Sequence, residues 1–138
     1  MSQAASSPPA EPVVVDASVM VDLVARTDDR FAPVRARLAG TVMHAPAHFD
    51  AEVLSALGRM QRAGVLTVAQ VDVALDELRQ APVTRHGLPS LLAGAWARRE
   101  TLGLADALYV ELADTAGLVL LTTDHRLGRA WPSAEVIA

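Results

Sequence analysis

Four acidic residues stand where the pattern around them is apolar. Asp16 ends the run Val13-Val14-Val15, and Asp124 ends the Leu118-Val119-Leu120-Leu121 run in the same way. Glu52 lies at the edge of a helical stripe formed by Phe49, Val53, Ala56, Leu57 and Met60, whereas Asp50 lies on the other edge and cannot face the same point. Asp106 shares a helical face with Tyr109, Val110 and Ala113, at i, i+3, i+4 and i+7, and is the only acid there. Carboxylates brought inward in this way cannot coexist bare, since two of them about 4 Å apart repel by roughly 4 kcal/mol at an effective dielectric near 20. They must take up protons or a cation. All-oxygen ligands without His or Cys favour Mg²⁺ or Mn²⁺ over zinc. Such an ion turns a bound water into a nucleophile suited to phosphodiester cleavage. Ser18, two residues after Asp16, and Thr122, two before Asp124, are placed to orient these carboxylates or bind a water.

Composition narrows the chemistry further. The 138 residues contain no Cys, which removes thiolate zinc sites, cysteine nucleophiles and disulfide exchange. Every one of the 12 basic residues is Arg, so a Walker-type phosphate loop, a Schiff base and a receiver-type lysine are excluded. The net charge of -4 argues against a protein that coats nucleic acid by bulk positive charge. The four inward carboxylates account for all of it, so the acidity belongs to one pocket rather than to the whole surface. One core suffices for a chain of this length, and no apolar run is long enough to cross a membrane. Residues 1–12, rich in Ser, Pro and small residues, read as a disordered tail before a single domain over 13–138, with a cytoplasmic location expected.

The elements that must position the carboxylates alternate along the chain. Short β-branched runs predict strands at 13–15, 41–44, 83–84, 118–121 and 136–137, the second closed by Pro46. Between them, 3.6-residue spacing predicts helices at 17–26, 28–38, 47–62, 68–80, 88–100, 104–116 and 124–129. Thr67 caps the fourth helix, whose stripe is Val68, Val71, Ala74, Leu75 and Leu78. Strands that are continuous apolar runs, each followed by helices, imply an α/β layer structure on a parallel sheet. In such sheets the ligand site lies beyond the carboxyl ends of the strands, where the strand order reverses. Asp16 and Asp124 would share that crevice if their strands are neighbours.

Four segments in order, V-V-V-D-A-S, P-A-H-F-D-A-E-V-L-S-A-L, G-L-A-D-A-L-Y-V-E-L-A and L-L-T-T-D-H-R-L, resemble a PIN-domain ribonuclease of the VapC toxin type, from about Val13 to Ile137. The resemblance puts the family's four acids on Asp16, Glu52, Asp106 and Asp124, and its supporting hydroxyls on Ser18 and Thr122. It departs at Ala105, where relatives often carry an aromatic residue. It implies a PIN-like three-layer sandwich with a five-stranded parallel sheet in the order 3-2-1-4-5 and helices on both faces. It also implies a homodimer, Mg²⁺- or Mn²⁺-dependent endonucleolytic cleavage of RNA, and a cognate VapB-type antitoxin whose basic side chain docks in the acidic site.

Each residue also has a plainer reading. Asp16 and Asp124 serve as helix N-caps, Glu52 pairs with Arg59 or Arg26, and Asp106 is a first-turn charge. Asp22, one turn after Ser18, reads as exposed charge rather than support for the site. His44, His48, His86 and His125 lack the spacing of a metal-binding helix, and Trp96 and Trp131 read as core or dimer contacts. Arg98, Arg99, Arg126 and Arg129 read as solvated helix faces, and Leu54 hints at a further covered surface. Two other functions compete with the nuclease. A phosphatase or receiver-like domain with an Asp16 nucleophile lacks both the D-x-D pair and the lysine. A PIN-fold module that binds RNA or protein without cutting would not need the intact quartet.

Overall fold

Val13, Val14 and Val15 have no solvent exposure. Successive strand residues point to opposite faces, so such a strand needs cover on both. The computed structural model, which describes residues 8–26 and 29–138, supplies it. Strand β1 (Glu11–Val15) sits at the centre of a five-stranded sheet with β2 (Thr41–Pro46), β3 (Val83–His86), β4 (Val119–Thr122) and β5 (Glu135–Val136), in the order β3-β2-β1-β4-β5. All four pairings are parallel, with Val13 opposite both Met43 and Val119, and Val15 opposite Leu121.

Right-handed crossovers decide where the helices go. Helices α1 (Ala17–Ala25), α2 (Phe31–Leu38), α3 (Phe49–Arg62) and α4 (Val68–Gln80) connect β1, β2 and β3 and pack on one another. The chain then passes through α5 (Leu92–Ala97) and α6 (Leu104–Ala116) to β4 on the far side of β1, which reverses the direction of travel and puts α6 on the opposite face, against β1, β2 and β4. Helix α7 (His125–Ala130) follows β4. The reversal leaves an open crevice at the carboxyl ends of β1 and β4.

Most predicted elements appear within a residue or two of their expected ends, and the departures have local causes. Glu11 and Pro12, assigned to a disordered tail, belong to β1, where they pair with Thr41 and Val42. Arg37 ties Glu11 to Glu135, closing β1 to β5 through one guanidinium. The remainder of the expected tail divides between residues 8–10, which are exposed, and residues 1–7, which lie outside the described residues, as does the expected start of α2 at Asp28. Pro46 does not stop β2. It occupies the last ladder position, and Ala47 N–H donates to the His86 carbonyl instead. The single helix expected over 88–100 is a 3-10 turn at Pro89–Leu91 followed by α5, ended where Arg98 turns towards Glu111 and Asp114. Gly94 leaves room there for the Glu111 carboxylate, which a Cβ would displace from its place beside Arg98.

Helix α6 has the predicted bounds and ends on Gly117 with φ 67°, a left-handed cap that glycine adopts without steric cost. Thr67 caps α4 with the reciprocal Gln70 bond of a capping box. Val68 is 62% exposed, so the buried stripe of α4 begins only at Val71. Among the described residues no helix is long and apolar enough to cross a membrane.

Candidate active site

Asp16 follows β1 and caps α1, with Oδ1 accepting from Val19 N–H at 3.3 Å. The same oxygen accepts from Ser18 Oγ at 2.5 Å, and Oδ2 accepts from Thr122 Oγ1 at 2.6 Å. Thr122 ends β4 and is fully buried; its Oγ1 also accepts from Asp124 N–H at 2.9 Å. Ser18 Oγ accepts from Thr123 N–H at 3.0 Å. Two hydroxyls therefore stitch the ends of β1 and β4 together around one carboxylate. That carboxylate is only 5% exposed, and burial pushes its pKa up to about 6 against the opposing pull of Ser18, Thr122 and Val19, with a further push from Asp106.

The other three acids come from three different helices. Asp124 caps α7 through Arg126 N–H at 2.9 Å, and its Oδ2 lies 3.6 Å from the Arg126 guanidinium. The plain capping roles foreseen for Asp16 and Asp124 are thus present, and they are what aims both side chains. Glu52, in the first turn of α3, accepts the Tyr109 hydroxyl at Oε1 across 2.6 Å. His48 Nε2 lies 3.4 Å from the same oxygen. Asp106, in the first turn of α6, is half-buried; burial raises its pKa, Asp124 and Glu52 raise it further, and Arg126 and His48 oppose them. All four line one open cavity of about 420 Å³, together with Ser18, Tyr109 and Thr123.

Several expectations need correction. Glu52 does not take Arg26 as its partner, since Arg26 pairs with Glu77 across the α1–α4 contact. Arg59 lines the cavity beside Glu52 but forms no ion pair among the described residues. Asp22 is not exposed charge: it lines the cavity and lies 3.8 Å from Arg30. Trp96 is 58% exposed on α5 with Arg99 over its ring, so it is not a core residue. Arg98 is bound to Glu111 and Asp114 rather than solvated alone.

Three contributors were invisible in the sequence. Tyr109 reads as core and is buried, yet its hydroxyl reaches the site, where burial and Glu52 hold it far above the usual phenol range. His48 packs on the Tyr109 ring at 4.7 Å and bonds the carbonyl of Ala105. Thr123 keeps a buried Oγ1 with no partner among the described residues. The remaining histidines do not converge on the acids. His44 Nδ1 lies 2.9 Å from His86 Nε2 on the neighbouring strand.

Among the described residues no three His, Asp or Glu side chains stand close enough to make a finished coordination shell. The donor set nevertheless suits one type of ion. Mg²⁺ keeps most of its waters and needs only one or two carboxylates directly. Four carboxylates lining one open cavity, two of them pushed towards protonation, are where added positive charge is most stabilising.

Comparison with known proteins agrees with this architecture. Residues 13–130 match the family model of the PIN domain. Over 137 residues, 99% of each chain, the sequence is 78% identical to Ribonuclease VapC3 of Mycobacterium tuberculosis. The structure of PAE2754 from Pyrobaculum aerophilum, 26% identical, superposes with a TM-score of 0.66 over 94% of this chain and 85% of that one. A toxin-antitoxin complex from Klebsiella pneumoniae, 17% identical, shares the fold with a TM-score of 0.63 over 91% and 98% of the two chains. With a PIN match across most of its length and near-complete alignment to a VapC ribonuclease, the chain belongs to the VapC branch of the PIN-domain family.

Proposed function

We propose that this protein is a divalent-metal-dependent endoribonuclease and the toxin half of a toxin-antitoxin pair. The observation that carries the proposal is the ring of Asp16, Glu52, Asp106 and Asp124 around a single cavity at the β1/β4 switch point. The name of its 78% identical relative, a ribonuclease, supports the same substrate class.

Each side chain has a definable task in this reading. Ser18 and the Val19 N–H hold Asp16 Oδ1, and Thr122 alone holds Oδ2, which keeps a lone pair to offer the cation. Tyr109 fixes Glu52 through Oε1 and leaves Oε2 available. Asp124, anchored by its capping bond, and Asp106 complete the ligand set for Mg²⁺ or Mn²⁺. When bound, the cation supplies charge to neutralise the phosphate and a water made nucleophilic at neutral pH. Arg126, 3.6 Å from Asp124, adds positive charge at the cavity rim, where the phosphate's negative charge must be met.

Two partners follow. An open acidic cavity offers a docking place for an arginine or lysine of a VapB-type antitoxin, and a toxin-antitoxin complex among the fold neighbours supports that partner. Exposed Leu92, Trp96 and Leu104 on α5 and α6 form an apolar patch suited to a homodimer contact. The decisive experiment is cleavage of a panel of structured RNAs by wild type and Asp16→Asn, with Mn²⁺ and with excess chelator. Cleavage by wild type with Mn²⁺ alone is expected. Full activity in chelator, or in Asp16→Asn, refutes the assignment.

A further inference from the structure

Helix α3 carries a polar stripe that continues past the carboxylates. His48, Glu52, Ser55 and Arg59 are spaced at i, i+4, i+7 and i+11, and therefore share one face. Together with Ala51 they line a second cavity of about 330 Å³. It joins the first, because Glu52 and Arg59 belong to the walls of both. Arg59, two turns after Glu52 and one after Ser55, stands where the two cavities meet, and long side chains on a helix favour directions back towards its N-terminus.

The arginines around the acidic cavity are not equivalent. Arg30 lies 3.8 Å from Asp22 and Arg126 lies 3.6 Å from Asp124, whereas Arg59 forms no ion pair among the described residues. An uncommitted guanidinium beside a carboxylate ring cannot serve the cation that the ring accepts, since the two repel. It suits an anion that must lie next to the ring. A polynucleotide presents such an anion, because the phosphate adjoining the scissile one needs positive charge that the carboxylates cannot offer.

We propose that the α3 groove is a phosphate subsite for the neighbouring nucleotide of the RNA strand, with Arg59 gripping the phosphate through its planar fork and Ser55 donating to a phosphate or sugar oxygen. This rests on the ribonuclease reading of the adjoining site.

The test measures binding of a mixed-sequence single-stranded RNA oligonucleotide to the non-cleaving Asp16→Asn protein over a range of salt. Arg59→Ala added to that background weakens binding several-fold and reduces the slope of log K against log salt by about 0.7, the loss of one phosphate contact. Arg59→Lys restores the slope but only part of the affinity. Arg62→Ala, an exposed arginine one turn away that lines neither cavity, changes nothing. The Mn²⁺-induced rise in melting temperature of the otherwise wild-type protein survives Arg59→Ala, which separates a phosphate grip from a disturbed cation site. Equal behaviour of Arg59→Ala and Arg62→Ala overturns the subsite alone, as does a defect confined to antitoxin binding. Failure of the Asp16→Asn parent to bind RNA, with no RNA cleavage by wild type, overturns the ribonuclease reading and the subsite together.

Discussion

The Tyr109 hydroxyl, buried within the stripe of α6, donates to Glu52 Oε1 on α3 across 2.6 Å. The bond joins helices that sit on opposite sides of the sheet and fixes the orientation of one carboxylate in the ring. In the cation site proposed above, Tyr109 would touch a ligand rather than the metal, and removing partners of that type typically changes metal affinity by 10- to 100-fold. Tyr109→Phe keeps the ring and its tilted contact with His48 while losing the donor. Mn²⁺ titrations followed by melting temperature should show at least a ten-fold weaker apparent affinity in this variant, with a metal-free protein that melts within a few degrees of wild type. An unchanged Mn²⁺ titration would mean that Glu52 is oriented without Tyr109.

Asp16 makes the metal-free protein pH-sensitive in a defined direction. Its pKa is about 6 in the fold, against 3.8 for an unperturbed aspartate, so between these values the native state binds more protons than the unfolded chain. Stability therefore falls as pH rises from about 4 to about 6, and the cost is complete above that window. A shift of this size corresponds to roughly 3 kcal/mol. Asp106 is displaced in the same direction and adds to the fall. Chemical denaturation in chelator should show wild type losing stability across this window and Asp16→Asn losing much less, so that the variant is the more stable protein at pH 7. A wild-type profile that is flat from pH 4 to 7 contradicts the burial argument.

How much of this could be read without coordinates depended on the range of the interaction. The bounds of α6 follow from an apolar stripe between Gly103 and Gly117, all local information, and they were predicted without error. The strand order rested on the family resemblance, because periodicity does not say which strands are neighbours. The four acids were legible since each interrupts a local pattern. Asp22 was misread because its shelter comes from Arg30, beyond the end of α1. Tyr109 was read only as core: a tyrosine in an apolar stripe gives no sign of a hydroxyl partner 57 residues away. The split of the 88–100 helix turned on Arg98 finding Glu111 and Asp114, which is again a tertiary choice.

Divalent cations should stabilise the fold, and more strongly at higher pH. A ligand that binds only the native state contributes about 2.7 kcal/mol at a concentration 100 times its Kd. For a domain of this size that raises the melting temperature by roughly 8 °C. At pH 5 Asp16 is largely protonated, so protons compete with the cation and the same Mn²⁺ concentration should give a clearly smaller shift than at pH 7.5. Equal shifts at the two pH values would place the bound ion away from Asp16.

Thr122 is the hydroxyl on which both strand-end acids depend. Its Oγ1 donates to Asp16 Oδ2 at 2.6 Å and accepts from Asp124 N–H at 2.9 Å, and the residue is fully buried. Thr122→Val keeps the shape and removes both bonds. A hydrogen bond to a charged group contributes about 1.5–3 kcal/mol, equivalent to one or two pKa units. Losing it lifts Asp16 further above 6, because burial then acts with only Ser18 and Val19 opposing it. Ribonuclease activity at fixed, subsaturating Mn²⁺ should therefore fall at pH 7 and recover partly at pH 8.5, with the rising limb of the pH profile displaced upward. Thr122→Ser, which returns the hydroxyl, should restore the limb to its wild-type position. A profile lowered equally at every pH would instead indicate that Thr122 acts through packing, since loss of the donor must appear as a shift along the pH axis.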